Sequence, residues 1–239
     1  MINTIDGLSQ SGKSTAAEGL GKKLGHQHFN SGMAYRAFTG YLLEQVRNVV
    51  HLDSLDQEQL ERRLREEALS EANTVHFRLT TEDGTEQCLH VNGMHFSDAD
   101  LRVKLIERNV SLVAGILPVR TAVNKFVRQL AAGGNLVAEG RDMGQVLASV
   151  ATFRFFIHAS DEVRAQRNIS KLEKLGLPVP PLEEVLAGIK ARDKSDLAHK
   201  EGAPDPNGCI GIDTDHLNAE QVVEAMLSHI GIGSFGDNS

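Results

Sequence analysis

The segment Gly7-Leu8-Ser9-Gln10-Ser11-Gly12-Lys13-Ser14 reads G-x-x-x-x-G-K-S. This pattern does its chemistry in one local fold only. The apolar run from Ile2 to Ile5 in front of it can form a buried strand, and Thr15 to Leu20 behind it can continue as a helix. Strand, glycine loop and helix start together make a phosphate-binding loop. The two glycines let successive backbone N–H groups turn inward on an anion, and the helix N-terminus adds partial positive charge. Lys13 can reach β- and γ-phosphates, and the Ser14 hydroxyl can hold Mg²⁺. Chance places such a pattern in roughly one chain in a hundred of this length, and the flanking strand and helix make chance rarer.

A loop of this kind sits at the edge of a parallel sheet, and the rest of the chain agrees. Short apolar runs at 2–6, 26–29, 135–139, 153–158 and 209–213 alternate with helical patterns at 13–24, 32–48, 56–70, 101–115, 119–132, 161–175, 182–194 and 218–230. Parallel strands need crossover connections, and these helices supply them. One stretch departs from the pattern. Val75 to Leu79 and Cys88 to Val91 alternate apolar and polar residues around the turn signal Thr81-Glu82-Asp83-Gly84. That predicts an antiparallel hairpin with a half-exposed face, set into the α/β chain as a small β subdomain over 73–100. The charged segment 56–67 reads as a solvated helix face.

The net charge is −7 over 239 residues, which argues against a broad nucleic-acid or membrane surface. An anionic ligand must then be held by a local cluster of Lys and Arg. Cys88 and Cys209 are far apart and form no CxxC pattern, so they read as small buried residues, and a reducing, cytoplasmic setting is expected. His76, His90 and His95 match no compact metal-ligand spacing and read as surface histidines. No apolar run approaches a membrane span, and a chain entering its first strand at once is expected to carry no cleaved signal peptide.

Three later segments speak to a second ligand. Asn30-Ser31-Gly32-Met33-Ala34-Tyr35-Arg36 follows the second strand; it offers a hydroxyl and a guanidinium at the C-terminal edge of the sheet, although Ser31 also fits a helix cap. Glu139-Gly140-Arg141-Asp142-Met143-Gly144 follows a buried strand. Glu139 can orient metal-bound water, Arg141 can meet a phosphate, and Asp142 can accept from a base amino group; a glycine turn with an internal ion pair is the plainer reading. Arg192-Asp193-Lys194-Ser195-Asp196, with Arg164 and Arg167 on the preceding helix, supplies cations that could neutralise transferring phosphates or simply pair on helix surfaces.

In their order, these segments resemble the cytidylate kinase family, bacterial type, over nearly the whole chain from Ile5-Asp6-Gly7 to Ile212-Asp213-Thr214. The resemblance implies an adenylate-kinase-like α/β fold. That fold is a P-loop NTPase core with a five-stranded parallel sheet flanked by helices, an inserted antiparallel β acceptor-binding domain at 73–100, and a helical lid near 160–205. The core would comprise 1–72 and 101–230, with a disordered tail at 231–239. The implied activity is γ-phosphoryl transfer from ATP to CMP or dCMP with Mg²⁺, in a cytoplasmic monomer that binds neither nucleic acid nor membrane. The implied site has Lys13, Arg141, Arg164 and Arg167 catalytic, with Gly7, Gly12, Lys13, Ser14 and Thr15 on ATP. Ser14 and Glu139 would hold the metal. Ser111, Arg120 and Asp142 would select cytosine, Arg192 and Asp196 hold the sugar, and Ser31, Arg36 and Arg141 grip the acceptor.

The chain also departs from that family. Asn30 stands where an aspartate is usual, His199 and Asn168 where arginines are usual, and Leu8 where a proline is usual. Charge at the acceptor-phosphate end is thereby thinner, and weaker, pH-dependent acceptor binding is expected, since His199 is charged only below a pKa near 6.5. A kinase for another or modified pyrimidine monophosphate, or a nucleotide binder with weak catalysis, would follow from the same departures.

Overall fold

A computed structural model describes residues 1–82, 86–198 and 203–232, with 195–198 by backbone alone. His199 therefore lies outside the described residues, as do the side chain of Asp196 and residues 233–239. The chain packs as two compact units: Met1–Asn30 together with the chain from Leu130 onward, and Ser31–Gln129 between them in sequence.

The first unit is built on β1 (Ile2–Gly7), β2 (Gln27–Asn30), β6 (Leu136–Gly140), β7 (Phe153–His158) and β8 (Ile210–Asp213). All pair in parallel, in the order β2-β6-β1-β7-β8. The strands form where the apolar runs predict them. β1 is central and buried at every position, as a parallel strand with helices on both faces should be; Ile2 and Ile5 are its apolar core residues, and Asn3, Thr4 and Asp6 are buried polar ones. Helix α1 (Lys13–Leu24) lays Ala16, Ala17 and Leu20 onto Ile5, Val137, Phe155 and Ile157, and α9 (Ala219–Ile230) adds Val222, Val223 and Met226. Fully burying each large aliphatic or aromatic side chain contributes about 1.5–3 kcal/mol. Gly19 is what lets α1 and α9 approach: a Cβ there would lie 2.7 Å from Val223 Cγ2. Helices α7 (Asp161–Lys174) and α8 (Leu182–Ala198) pack on one another through Ala165, Val185 and Ile189. Gly231 closes α9 in the left-handed region, with φ 81°, and Ile232 packs against the core.

The second unit holds α2 (Ser31–Val49), α3 (Gln57–Glu71), α4 (Lys104–Ala114) and most of α5 (Leu117–Ala132), with a separate antiparallel sheet β3-β4-β5. Its strands are β3 (Phe77–Glu82), β4 (Glu86–Val91) and β5 (Met94–Phe96). A two-stranded hairpin is predicted from the sequence; the sheet has three strands. Asn92 and Gly93, at φ 49° and 86°, form the tight Asn-Gly turn that folds β5 back onto β4. One face of this sheet is apolar, and Phe77 meets Phe38 edge-on and stacks on Phe126.

Two smaller features stand out. The helix expected from Leu101 is interrupted at Val103, whose backbone is extended (φ −66°, ψ 135°) and separates a short turn at Asp100–Arg102 from α4; Asp100 accepts from the Ser97 N–H at 2.9 Å at the start of that turn. After Arg141 and Asp142 the chain enters a short helix, α6 (Met143–Val146), where the sequence also allowed a plain glycine turn. Among the described residues, no single helix is long and apolar enough to cross a membrane.

Candidate active site

The loop between β1 and α1 has the geometry its glycines predict. A Cβ on Gly7 would lie 2.4 Å from the Ile157 carbonyl oxygen, so only glycine fits between β1 and β7. Gly12, at φ 95° and ψ 3°, turns the chain into α1 through the left-handed region. The Lys13 ammonium folds back over this loop and donates to the Leu8 carbonyl at 3.2 Å. Burial pulls its pKa down to about 8. Glu139 opposes that fall, Arg141 and Arg192 add to it, and Asp6 opposes it. Glu139, Arg141 and Arg192 therefore each lie within electrostatic reach of Lys13, whose loop follows the C-terminal end of β1, where open α/β sheets bind ligands.

The loop is braced from behind. Arg167 on α7 donates to the Ser11 carbonyl at 2.9 Å, to Thr214 Oγ1 at 3.0 Å and to the Thr214 carbonyl at 2.7 Å. Beside the loop a cleft of about 340 Å³ is lined by Gln10, Gly12, Thr15, Arg167, Thr214 and Leu217, among others. Arg164 is buried, and its guanidinium is taken up by protein acceptors. It donates to Asp193 at 3.1 and 2.5 Å, to Asp161 at 2.6 Å and to the Ser9 carbonyl at 3.2 Å. Burial works against its charge, and the hydrogen bonds it donates to Asp193 and Asp161, with their negative charges, outweigh burial and leave its pKa raised.

At the end of β6, the Glu139 carboxylate is fully buried. Its Oε1 faces His28 Nε2 at 3.3 Å, and its Oε2 is buried without a hydrogen-bond partner among the described residues. A buried, unpartnered carboxylate oxygen beside a phosphate loop is what a hydrated hard cation would satisfy. With the exposed Ser14 hydroxyl at the first turn of α1, the donor set is all oxygen. These residues fit Mg²⁺. Asn30 closes β2 in register with Glu139, so the position where an aspartate would add a second negative charge is neutral here.

Asp6 is a site residue to which the sequence reading gave no role. It is buried, and its two carboxylate oxygens accept from the Met143 N–H at 2.8 Å and the Gly144 N–H at 2.7 Å. Burial raises its pKa to about 7, against those two donors; the charge of Asp142 raises it further and Lys13 lowers it. Gly144 is held so close that a Cβ would sit 2.9 Å from Asp6 Oδ2. Asp6 thus ties the loop strand to the Gly140–Gly144 turn that carries Arg141 and Asp142. An acid directly before the first loop glycine and next to Ile5 was the available signal.

The chain from residue 3 to 231 matches the family model for cytidylate kinase. The chain belongs to the cytidylate kinase family. Among its relatives, a cytidylate kinase from Caldanaerobacter subterraneus is 37% identical over 227 residues, covering 95% of this chain and 92% of that protein. Another, from Herpetosiphon aurantiacus, is 35% identical over 231 residues, covering 95% and 93%. A third, from Parabacteroides distasonis, is 31% identical over 237 residues, covering 98% and 99%. Membership in this family of nucleoside monophosphate kinases agrees with the resemblance drawn from the loop and the Glu139–Gly144 turn.

The other residues the family resemblance selects lie in the second unit. Ser31 opens α2 and is buried. Arg36 on the same helix donates to Glu107 on α4 at 2.8 Å. Arg120 on α5 lies 5.7 Å from the Tyr35 ring centroid and donates to the Ala114 carbonyl at 3.3 Å. Ser111 is exposed on α4. A cation–π contact of this kind is worth about 0.5–1 kcal/mol.

Proposed function

We propose that this protein transfers the γ-phosphoryl group of ATP to CMP or dCMP, giving ADP and the diphosphate. An oxygen of the acceptor's α-phosphate forms the new bond to the γ-phosphorus as the bond to the β–γ bridging oxygen breaks. Little proton chemistry is needed, so catalysis is positioning and charge neutralisation. The observation that carries the reading is the cation cluster Lys13, Arg141 and Arg192 beside the buried Glu139, at the mouth of a phosphate loop in a chain of net charge −7.

Gly7, Gly12, Lys13, Ser14 and Thr15 would cradle the ATP phosphates. The cleft beside the loop has the size of a nucleoside pocket, and the planar Arg167 guanidinium suits a stacked base. Ser14 and Glu139 would hold Mg²⁺, which when bound neutralises β- and γ-phosphate charge. Arg141 would meet the transferring group. Arg164, already held by two aspartates, would act by positioning the loop through Ser9. Ser31 and Arg36 would grip the acceptor phosphate, and Arg192 and Asp196 the sugar. Ser111, Arg120 and Asp142 would read the cytosine edge, because a carboxylate accepts from the 4-amino group and is repelled by the carbonyl of uracil. A mispaired buried polar group costs about 1–3 kcal/mol, or roughly ten- to hundredfold in selectivity. The segment near 160–205 would close over the phosphates and exclude water.

The test is ADP release from Mg²⁺-ATP with and without CMP. Strong stimulation by CMP is expected, whereas ADP release independent of CMP at every Mg²⁺ concentration would refute the reading.

A further inference from the structure

The polar face of the three-stranded sheet holds a group of side chains that the kinase reaction does not use. In the antiparallel register Thr80 lies opposite Cys88, Glu82 opposite Glu86, and His90 opposite both Arg78 and His95. Alternation puts Glu82, Cys88, His90 and His95 on one face, and Phe77, Leu89, Val91 and Phe96 on the other. The apolar face accounts for the packing of the sheet. It does not account for Cys88, which points the other way and is nonetheless fully buried. Glu82 and His95, beside it on either flank, are both exposed. Glu82 Oε1 and His95 Nε2 are 3.0 Å apart. One ligand atom each from Glu82, Cys88 and His95 all lie within 4.8 Å of one another.

We infer that Cys88, His95 and Glu82 form a binding site for a borderline-soft divalent cation of the zinc class. The donors are one sulfur, one imidazole nitrogen and one carboxylate oxygen, a set that favours zinc over magnesium or calcium. Bonds of about 2.0–2.3 Å would place tetrahedral ligands roughly 3.3–3.7 Å apart, so side-chain rotations suffice to close the site. A thiolate and a carboxylate together match the charge of a divalent ion. The fourth position is open to water or to His90, whose ring centroid lies 5.1 Å from that of His95 and whose Nε2 lies 3.1 Å from Thr80 Oγ1. Burial, with Glu82 and Glu86 adding to it, holds the Cys88 thiol protonated in the metal-free protein, and the ion would displace that proton. Each ligand comes from a different strand, so the ion would clamp β3, β4 and β5 together. Cross-strand register creates this grouping, which is why linear spacing assigns these histidines to the surface.

The test uses the full, untagged chain stripped with a chelator, then titrated with Co²⁺ and back-titrated with Zn²⁺ under saturating Mg²⁺-ATP. One equivalent of Co²⁺ should give a thiolate-to-metal charge-transfer band in the near ultraviolet, which Zn²⁺ abolishes. Cys209→Ser should keep the band, and Cys88→Ser should lose it. Because Cys88 is buried and its replacement could disturb folding, His95→Gln and Glu82→Gln at exposed positions provide the second arm. Each should weaken Zn²⁺ binding at least the roughly tenfold that even an outer-layer change costs. Absence of the band, its loss in Cys209→Ser, or unchanged Zn²⁺ affinity in both exposed variants would overturn the site.

Discussion

Replacing Arg164 with methionine probes whether the phosphate loop is held in place by a buried ion pair. The Arg164 side chain is 2% exposed and that of Asp193 is 14% exposed, and they meet through two hydrogen bonds at 3.1 and 2.5 Å. The second partner, Asp161, is 36% exposed and contributes little, about 0–1 kcal/mol for a solvent-screened pair. The loss is therefore set by Asp193, whose carboxylate would remain nearly buried without its cation. Breaking a buried pair from one side costs about 3–5 kcal/mol, a large part of a total near 5–15 kcal/mol. With a urea m-value of about 1–3 kcal/mol/M, the unfolding midpoint should fall by about 1 M or more. Adding Asp193→Leu removes the orphaned charge and should restore most of the loss, giving a coupling of about 2–3 kcal/mol in the double-mutant cycle. Because Arg164 also donates to Ser9, the ATP KM should rise in both variants. An Arg164→Met cost below about 1 kcal/mol, or simple additivity of the two substitutions, would refute the argument.

The charge of Lys13 is lost as pH rises through about 8, so kcat/KM for ATP should fall on the alkaline side with an apparent pKa near that value; a flat profile to pH 10 would contradict this. Asp6 is raised from 3.8 to about 7, so the fold binds an extra proton between those values. Its contribution to stability is complete below the unfolded pKa and disappears as pH rises through about 7. Asp6→Asn should flatten the difference between urea midpoints at pH 5 and pH 8, and equal slopes in both proteins would refute the assignment. Gly7→Ala forces a Cβ to within 2.4 Å of the Ile157 carbonyl and should cost about 1–3 kcal/mol by overpacking, read as a fall in Tm; an unchanged Tm would show that β1 and β7 can part there.

Much of the first unit was legible because its signals are local. The apolar runs mark β1, β6 and β7, and the two loop glycines stand where close approach and a left-handed turn demand them. In the second unit, the Asn92-Gly93 turn carried a local signal for β5, but the strand that follows is only Met94–Phe96, too short to show alternation. Long-range pairing was not legible. Nothing in linear spacing links Arg164 to Asp193, 29 residues away, or shows that a guanidinium suggestive of substrate contact is buried against two aspartates. Asp6 shows the same limit, since its partners are backbone N–H groups 137 and 138 residues distant. The grouping of Cys88, His95 and Glu82 depends on a register that only the folded sheet defines.

The central claim is that one chain joins an ATP-phosphate cradle to a slot that reads cytosine, and a panel of acceptors tests it most directly. Initial rates of ADP formation should be measured with CMP, dCMP, UMP and AMP at fixed Mg²⁺-ATP, for the native chain and for Asp142→Asn. CMP or dCMP should be preferred over UMP by kcat/KM, and Asp142→Asn should erode this preference roughly ten- to hundredfold while the ATP KM stays nearly constant. Equal turnover of UMP and CMP by the native chain, or a CMP preference untouched by Asp142→Asn, would contradict it.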